Sequence, residues 1–200
     1  MEGFRAIVGP LAGALAAFAI ARYIWAIFQT MRLPSGQRVT PNRVTWGVIS
    51  VIGWTFLANN VAMGATYTLW LPMVYAMGPT IVALISIRHG VGGRDKNDIV
   101  AGTIAVLSLI LWWWLGLSAG FAANLMADIA AIYPTIRKAY RQPGTEDRTA
   151  WVCTTIGCVI NLMAVPAPWS GVGAYAAYQV VANGTIAVLA LRRKNVKNTS

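Results

Sequence analysis

The chain has 200 residues, of which 57% are hydrophobic and only 11% charged, and its formal net charge is +10. A soluble domain carries roughly 25% charged residues, so this composition, with a mean hydropathy of +0.58, excludes an ordinary water-soluble domain and places the chain in a lipid bilayer. The basic residues sit in short turns between apolar runs, the pattern of cytoplasmic loops, which argues against nucleic acid as the partner of the positive charge.

In chain order the sequence predicts seven apolar spans of the length a helix needs to cross hydrocarbon, roughly 20 residues. The first covers 6–28 and continues through Tyr23 and Trp25, past any small-residue cleavage site of a signal peptide. The second covers 46–62 and the third 66–87, where Pro72 and Pro79 are read as static bends. A turn containing Gly90, Gly92 and Gly93 leads into the fourth span, 98–114, with Asp98 expected as its cap. Trp112, Trp113 and Trp114 close that span as an interfacial aromatic belt. The fifth covers 118–138, the sixth 151–165 with Pro166 and Pro168 ending it, and the seventh 173–191. Cys153 and Cys158 lie inside the sixth span without redox or zinc spacing and are read as small buried hydrophobes.

Of the 16 lysines and arginines, 14 fall in the first, third and fifth turns and the C-terminal tail. The positive-inside rule then puts those turns and the C terminus in the cytoplasm and the N terminus outside.

The chain also repeats itself, which bears on the architecture before any other reading. Tyr23 answers to Tyr133 at an offset of 110, and Trp46 to Trp151 at an offset of 105. Met77-Gly78-Pro79-Thr80-Ile81 reappears as Asn183-Gly184-Thr185-Ile186. The expected organisation is all-α and integral to the membrane: a first three-helix repeat over 1–89, a linker helix over 90–117, a second repeat over 118–192 and a basic cytoplasmic tail over 193–200. An odd linker keeps the two repeats parallel.

These residues carry a resemblance to a known family. Tyr133-Pro134-Thr135-Ile136-Arg137-Lys138 followed by Trp151 resembles the Pro-Gln turn of the PQ-loop family, and Asn183-Gly184 resembles the Asn-Gly of the last helix of the SWEET sugar transporters. Ala127 to Thr135 and Pro41 to Trp46 look like stretches of uncharacterised bacterial membrane proteins of this type. Thr135 stands where the name-giving Gln would be, Ile24 where the first repeat would have its Pro, and Met77 where it would have the pocket Asn. The resemblance implies a transporter that moves a small polar solute, a sugar or similar metabolite, by alternating access. It also implies residence in a bacterial inner membrane.

Asp128 lies about ten residues into the fifth span, where a charge is costly and either pairs with a cation or takes up a proton. Arg22 is its expected partner, as a structural ion pair or as a gate. Asn124 shares a helical face with Asp128, and Tyr175, Gln179 and Asn183 share one on the last span, each four residues apart. The expected solute pocket is Asn183, Gln179, Trp54, Asn124 and Asp128, with Trp54 taken as the repeat mate of Cys158; the expected gate is Pro134, Arg22 and Tyr133. Asn59, Asn60 and Asn161 are read as packing or interfacial residues toward the outer side. No Ser-His-Asp set, phosphate loop or metal-ligand spacing is present, so no enzyme, cofactor or metal is expected. The last span has no Lys for a retinal Schiff base. A receptor or assembly factor using the same fold is the alternative class, and a homo-oligomer is compatible with either.

Overall fold

The computed structural model describes residues 2–62, 66, 68–165 and 171–192, with the side chains of 117–121 and 171–172 outside the description. The basic tail, the Pro166 and Pro168 break and most of the connection between the second and third spans therefore lie outside the described residues. What is described is helical: α1 (Glu2–Thr30), α2 (Arg43–Ala62), α3 (Trp70–His89), α4 (Lys96–Arg141), α5 (Arg148–Ala164) and α6 (Gly171–Leu191). α4 is two arms joined at Gly116, whose φ of 72° and ψ of −173° break the helix. That left-handed φ is open to glycine and strained for any residue with a Cβ, so the boundary expected between the fourth and fifth spans falls where the chain can turn.

Among the described residues, five helices are long and apolar enough to cross a membrane: α1, α2, α3, the Lys96–Gly116 arm and Gly173–Leu191. Seven such spans were expected. α5 is 17 residues long, and the second arm of α4 carries Asn124, Asp128, Arg137 and Lys138, so these two lack the length or the purity of the others. The side chains are distributed inside out relative to a water-soluble protein. Large apolar groups such as Ile7, Ile87, Trp113, Trp114, Val181 and Val188 are exposed, while Asn60, Asn124, Asp128, Thr135 and Asn183 are buried. Lipid-facing apolar surface and inward polar groups are what a hydrocarbon solvent selects, and the chain is an integral membrane protein.

The helices pack in a closed order, α1 against α3, α3 against α2, α2 against α4, α4 against α6, α6 against α5, and α5 back against α1. The Lys96–Gly116 arm is the least enclosed, with 17% of its apolar window buried against 39–44% for the other four spanning helices. Close approach depends on small residues. α1 buries Gly9, Ala12, Gly13, Ala16, Ala19 and Ala26, and Gly53 of α2 lies so near α3 that an added Cβ would stand 2.0 Å from the Tyr75 carbonyl oxygen.

Two local expectations are corrected. Asp98 does not cap α4. The helix starts at Lys96 with Asp95 at the cap position, and Asp98 instead accepts hydrogen bonds from Gly93 N (2.7 Å) and Asn42 Nδ2 (3.3 Å). It fastens the turn before α4 to the start of α2. Pro72 falls in the first turn of α3, where no helical N–H is needed, so Pro79 is the proline inside that helix.

The spacing of buried residues in α1 recurs along the second arm of α4. Buried Ala12, Ala16, Ala19, Tyr23 and Ile27 of α1 match buried Asn124, Asp128, Ala131, Thr135 and Ala139 of α4 at a constant offset of 112. Tyr133, by contrast, is half exposed.

The Gly53 contact gives a test of this packing. Gly53→Ala should cost about 1–3 kcal/mol, the usual range for overpacking a close interface, read as a lower thermal midpoint in detergent. Gly47→Ala, on the same helix with nothing within 4 Å of the added Cβ, should leave the midpoint unchanged or slightly raised.

Candidate functional site

A cavity opens at the centre of the helix ring, with wall residues from all six helices. Its polar side comes from α6 and the second arm of α4. Tyr175, Gln179 and Asn183 are one helical turn apart and so stack along one face of α6. Tyr175 OH donates to Asp128 Oδ2 at 3.0 Å and Gln179 Nε2 to the same oxygen at 2.7 Å. Gln179 Nε2 also reaches the Tyr175 hydroxyl at 2.7 Å, and Asn183 Nδ2 donates to Gln179 Oε1 at 2.8 Å. Tyr75 of α3 meets the Cys158 sulfur of α5 at 3.0 Å. The rest of the wall is aromatic and aliphatic, including Trp46, Phe56, Trp151 and Ile132. The free volume is about 50 Å³, room for a few water molecules.

At the basic end the cavity is shut by side chains. Trp46 and Trp151 open α2 and α5, and their ring centroids lie 6.3 Å apart. Tyr23 of α1 stands 5.1 Å from Trp46 and 6.1 Å from Trp151. This aromatic plug is tied to the turn before α5. Glu146 Oε2 accepts from Trp151 Nε1 at 2.8 Å and from Tyr23 OH at 3.2 Å. Its other oxygen is paired with Lys138 Nζ at 2.6 Å. Asp147 caps α5 by accepting from Ala150 N at 2.8 Å and pairs with Arg22 at 2.9 Å. Beside it, Thr135 donates to Thr45 at 3.0 Å, tying α4 to α2. Further out, Arg137 pairs with Asp95 in the turn before α4, and this guanidinium hydrogen bond holds the Asp95 carboxyl below the usual carboxylate range.

The structure brings three of the expected pocket residues together: Asp128, Gln179 and Asn183. It does not bring the other two. Trp54 is half exposed and donates to Thr80 Oγ1 at 3.2 Å. It lies one residue beyond the wall residue Gly53, about 100° further round the helix. Asn124 is buried but accepts from Thr55 Oγ1 at 3.1 Å, a bond that joins α4 to α2 away from the cavity.

The expected pairing of Arg22 with Asp128 is not formed. Arg22 sits beside Tyr23 at the level of the aromatic plug, where Asp147 is its anion and the Trp25 ring lies 4.5 Å from its guanidinium carbon. Among the described residues, Asp128 has uncharged partners only. Of the other gate residues, Pro134 is buried inside α4, whereas Tyr133 faces outward in a groove with Lys96, Val100 and Met126. Glu146 and Asp147 are the residues that sequence reasoning passed over. They are two of only six acidic residues in the chain and directly precede the Trp151 helix, which was the available signal. Among the described residues no three His, Cys, Asp or Glu side chains stand together as a metal site.

Comparison of the chain with protein-family models, curated proteins and solved structures gives no match in any of the three.

The buried pair at the plug is the most consequential ion pair, because the Glu146 side chain is 0% exposed. Lys138→Met strands that carboxylate and should cost about 3–5 kcal/mol in chemical or thermal unfolding of the solubilised protein. Adding Glu146→Gln should recover most of the loss; a double variant as unstable as the single would show that Lys138 acts through packing.

Proposed function

We propose that the protein is a membrane transporter that moves a small polar solute by alternating access, with the central cavity as its solute site. The observation that carries this reading is a buried carboxylate inside a cavity whose basic end is closed by side chains from four segments of the chain. A static core has no need of an unpaired Asp128, because hydrocarbon penalises it. A solute site has a use for it.

The proposed frame is two parallel three-helix repeats joined by the Lys96–Gly116 arm, with the N terminus outside and the C terminus cytoplasmic. Three features support it. The packing order α1–α3–α2 is answered by α4–α6–α5. The burial pattern of α1 recurs in the second arm of α4. At a single offset of 105, Thr40 answers to Thr145, the helix cap Asn42 to the cap Asp147, and Trp46 to Trp151; Thr40 N also bonds to Thr145 O at 3.2 Å. This frame is also what the likeness to PQ-loop and SWEET proteins implies, and a bacterial cytoplasmic membrane is the proposed location.

In this mechanism the closed state is held by Glu146 and Asp147, which gather Tyr23, Trp151, Lys138 and Arg22. Opening toward the cytoplasm separates Arg22 from Asp147 and Lys138 from Glu146, and withdraws Tyr23 from the two Trp rings it packs against. The small free volume then belongs to a closed state. It equally suits a receptor or scaffold whose core never opens, and flux decides between the two.

In sealed vesicles the wild type should show saturable uptake of a solute from a panel of small polar compounds, and Asp128→Asn should reduce it at least tenfold, the loss of about 1.4 kcal/mol. Uptake of every compound at the rate of protein-free vesicles would favour the non-transporting class. For the frame, a tag fused ahead of Glu2 should resist labelling from the cytoplasmic side while one at the C terminus reacts; both reacting from one side would remove the proposed topology.

A further inference from the structure

The charges around the cavity do not balance, and the imbalance narrows the ligand. Asp128 is 2% exposed, and the cations that approach this half of the ring are engaged elsewhere: Arg22 with Asp147, Lys138 with Glu146, Arg137 with Asp95. Both hydrogen bonds to the Asp128 carboxylate fall on Oδ2. Oδ1 has no hydrogen-bond partner among the described residues, and Asp128 is part of the cavity wall.

The rest of the wall suits a cation better than a polyol. Five aromatic residues line it: Trp46, Phe56, Tyr75, Trp151 and Tyr175. Gln179 and Asn183 already bond to each other, and Gln179 also to Asp128 and Tyr175. A sugar entering here would leave most of its hydroxyls facing apolar groups, and unpaired buried hydroxyls are costly. A nitrogen cation with methyl or methylene substituents needs one carboxylate and aromatic rings, which are the groups present.

We propose that the cavity binds a small organic ammonium ion, with Asp128 Oδ1 as its counter-ion and the surrounding aromatic rings as its apolar and cation–π wall. The inference rests on the reading of this cavity as the solute site and narrows the solute from polar to cationic.

The test uses the purified full-length protein and two probes of similar shape, trimethylammonium chloride and uncharged tert-butanol, with sodium chloride added to equalise ionic strength. Calorimetric titration should show trimethylammonium binding at least tenfold tighter than tert-butanol, about the value of one desolvated cation–π contact together with a counter-ion. Asp128→Asn should abolish that preference and Asp128→Glu should retain it. Equal affinity for the two probes, or an undiminished preference in folded Asp128→Asn, overturns the proposal. If Asp128→Asn does not fold, the wild-type comparison of the two probes decides alone.

Vesicle uptake separates this inference from the transport reading. Trimethylammonium that binds but does not cross keeps the ligand class and removes transport. Saturable flux of an uncharged solute with no charge preference in binding keeps transport and removes the ligand class.

Discussion

Hydrocarbon offers neither hydrogen bonds nor counter-charges, so a polar side chain within the spans is stabilised by partners inside the protein, on its own helix or on another. That constraint shapes the interior of this protein. Asn124 reaches Thr55, Thr135 reaches Thr45, Tyr75 reaches Cys158, and Asp128 gathers Tyr175 and Gln179. Each of these bonds joins two helices, and between them they pin α4 to α2, α3 to α5 and α4 to α6. Such bonds are individually modest, on the order of 1 kcal/mol in membranes. Their contribution to a unique arrangement is larger than to stability, since lipid-facing Leu and Val surfaces do not distinguish one helix neighbour from another.

The basic end works under a different balance. There Glu146 and Asp147 occupy one short turn and act on three helices at once, α1, α4 and α5, with the turn itself fixed by the cap on α5. A capping carboxylate that also pairs with Arg22 joins the geometry of a helix start to the position of another helix. Movement of α5 relative to α1 cannot occur without breaking a charge pair, and the half-buried state of Arg22 makes that cost intermediate between a surface pair and a core pair.

How much of this was legible in the sequence follows from which signals are periodic and which are spatial. The helices and the shared face of Tyr175, Gln179 and Asn183 are local and periodic, and reading by 3.6-residue spacing reaches them; the limits of the apolar runs placed the boundary at which Gly116 breaks α4. The partner of Arg22 is not. Asp128 seemed suitable because it was the other charge inside a span, but Asp147, 125 positions along the chain from Arg22, is the one the fold brings within 2.9 Å. Burial is spatial in the same sense: Tyr23 and Tyr133 look alike in the sequence, yet Tyr23 is buried and Tyr133 half exposed. Trp54 failed by a single position on its helix, a reminder that one residue of register turns a side chain from cavity to lipid.

The closed packing order has a consequence for how the protein is made. α1 meets α3 soon after synthesis, but its other neighbour, α5, follows more than a hundred residues later. Until then the Ala12 and Ala16 face that Gly157 will approach is bathed in lipid, and Asp128 enters the bilayer before its α6 donors exist. Such late, long-range closure slows assembly and leaves a nascent intermediate whose polar groups are open to the wrong partners. The ring therefore stays open until the last two helices, α5 and α6, arrive to complete it.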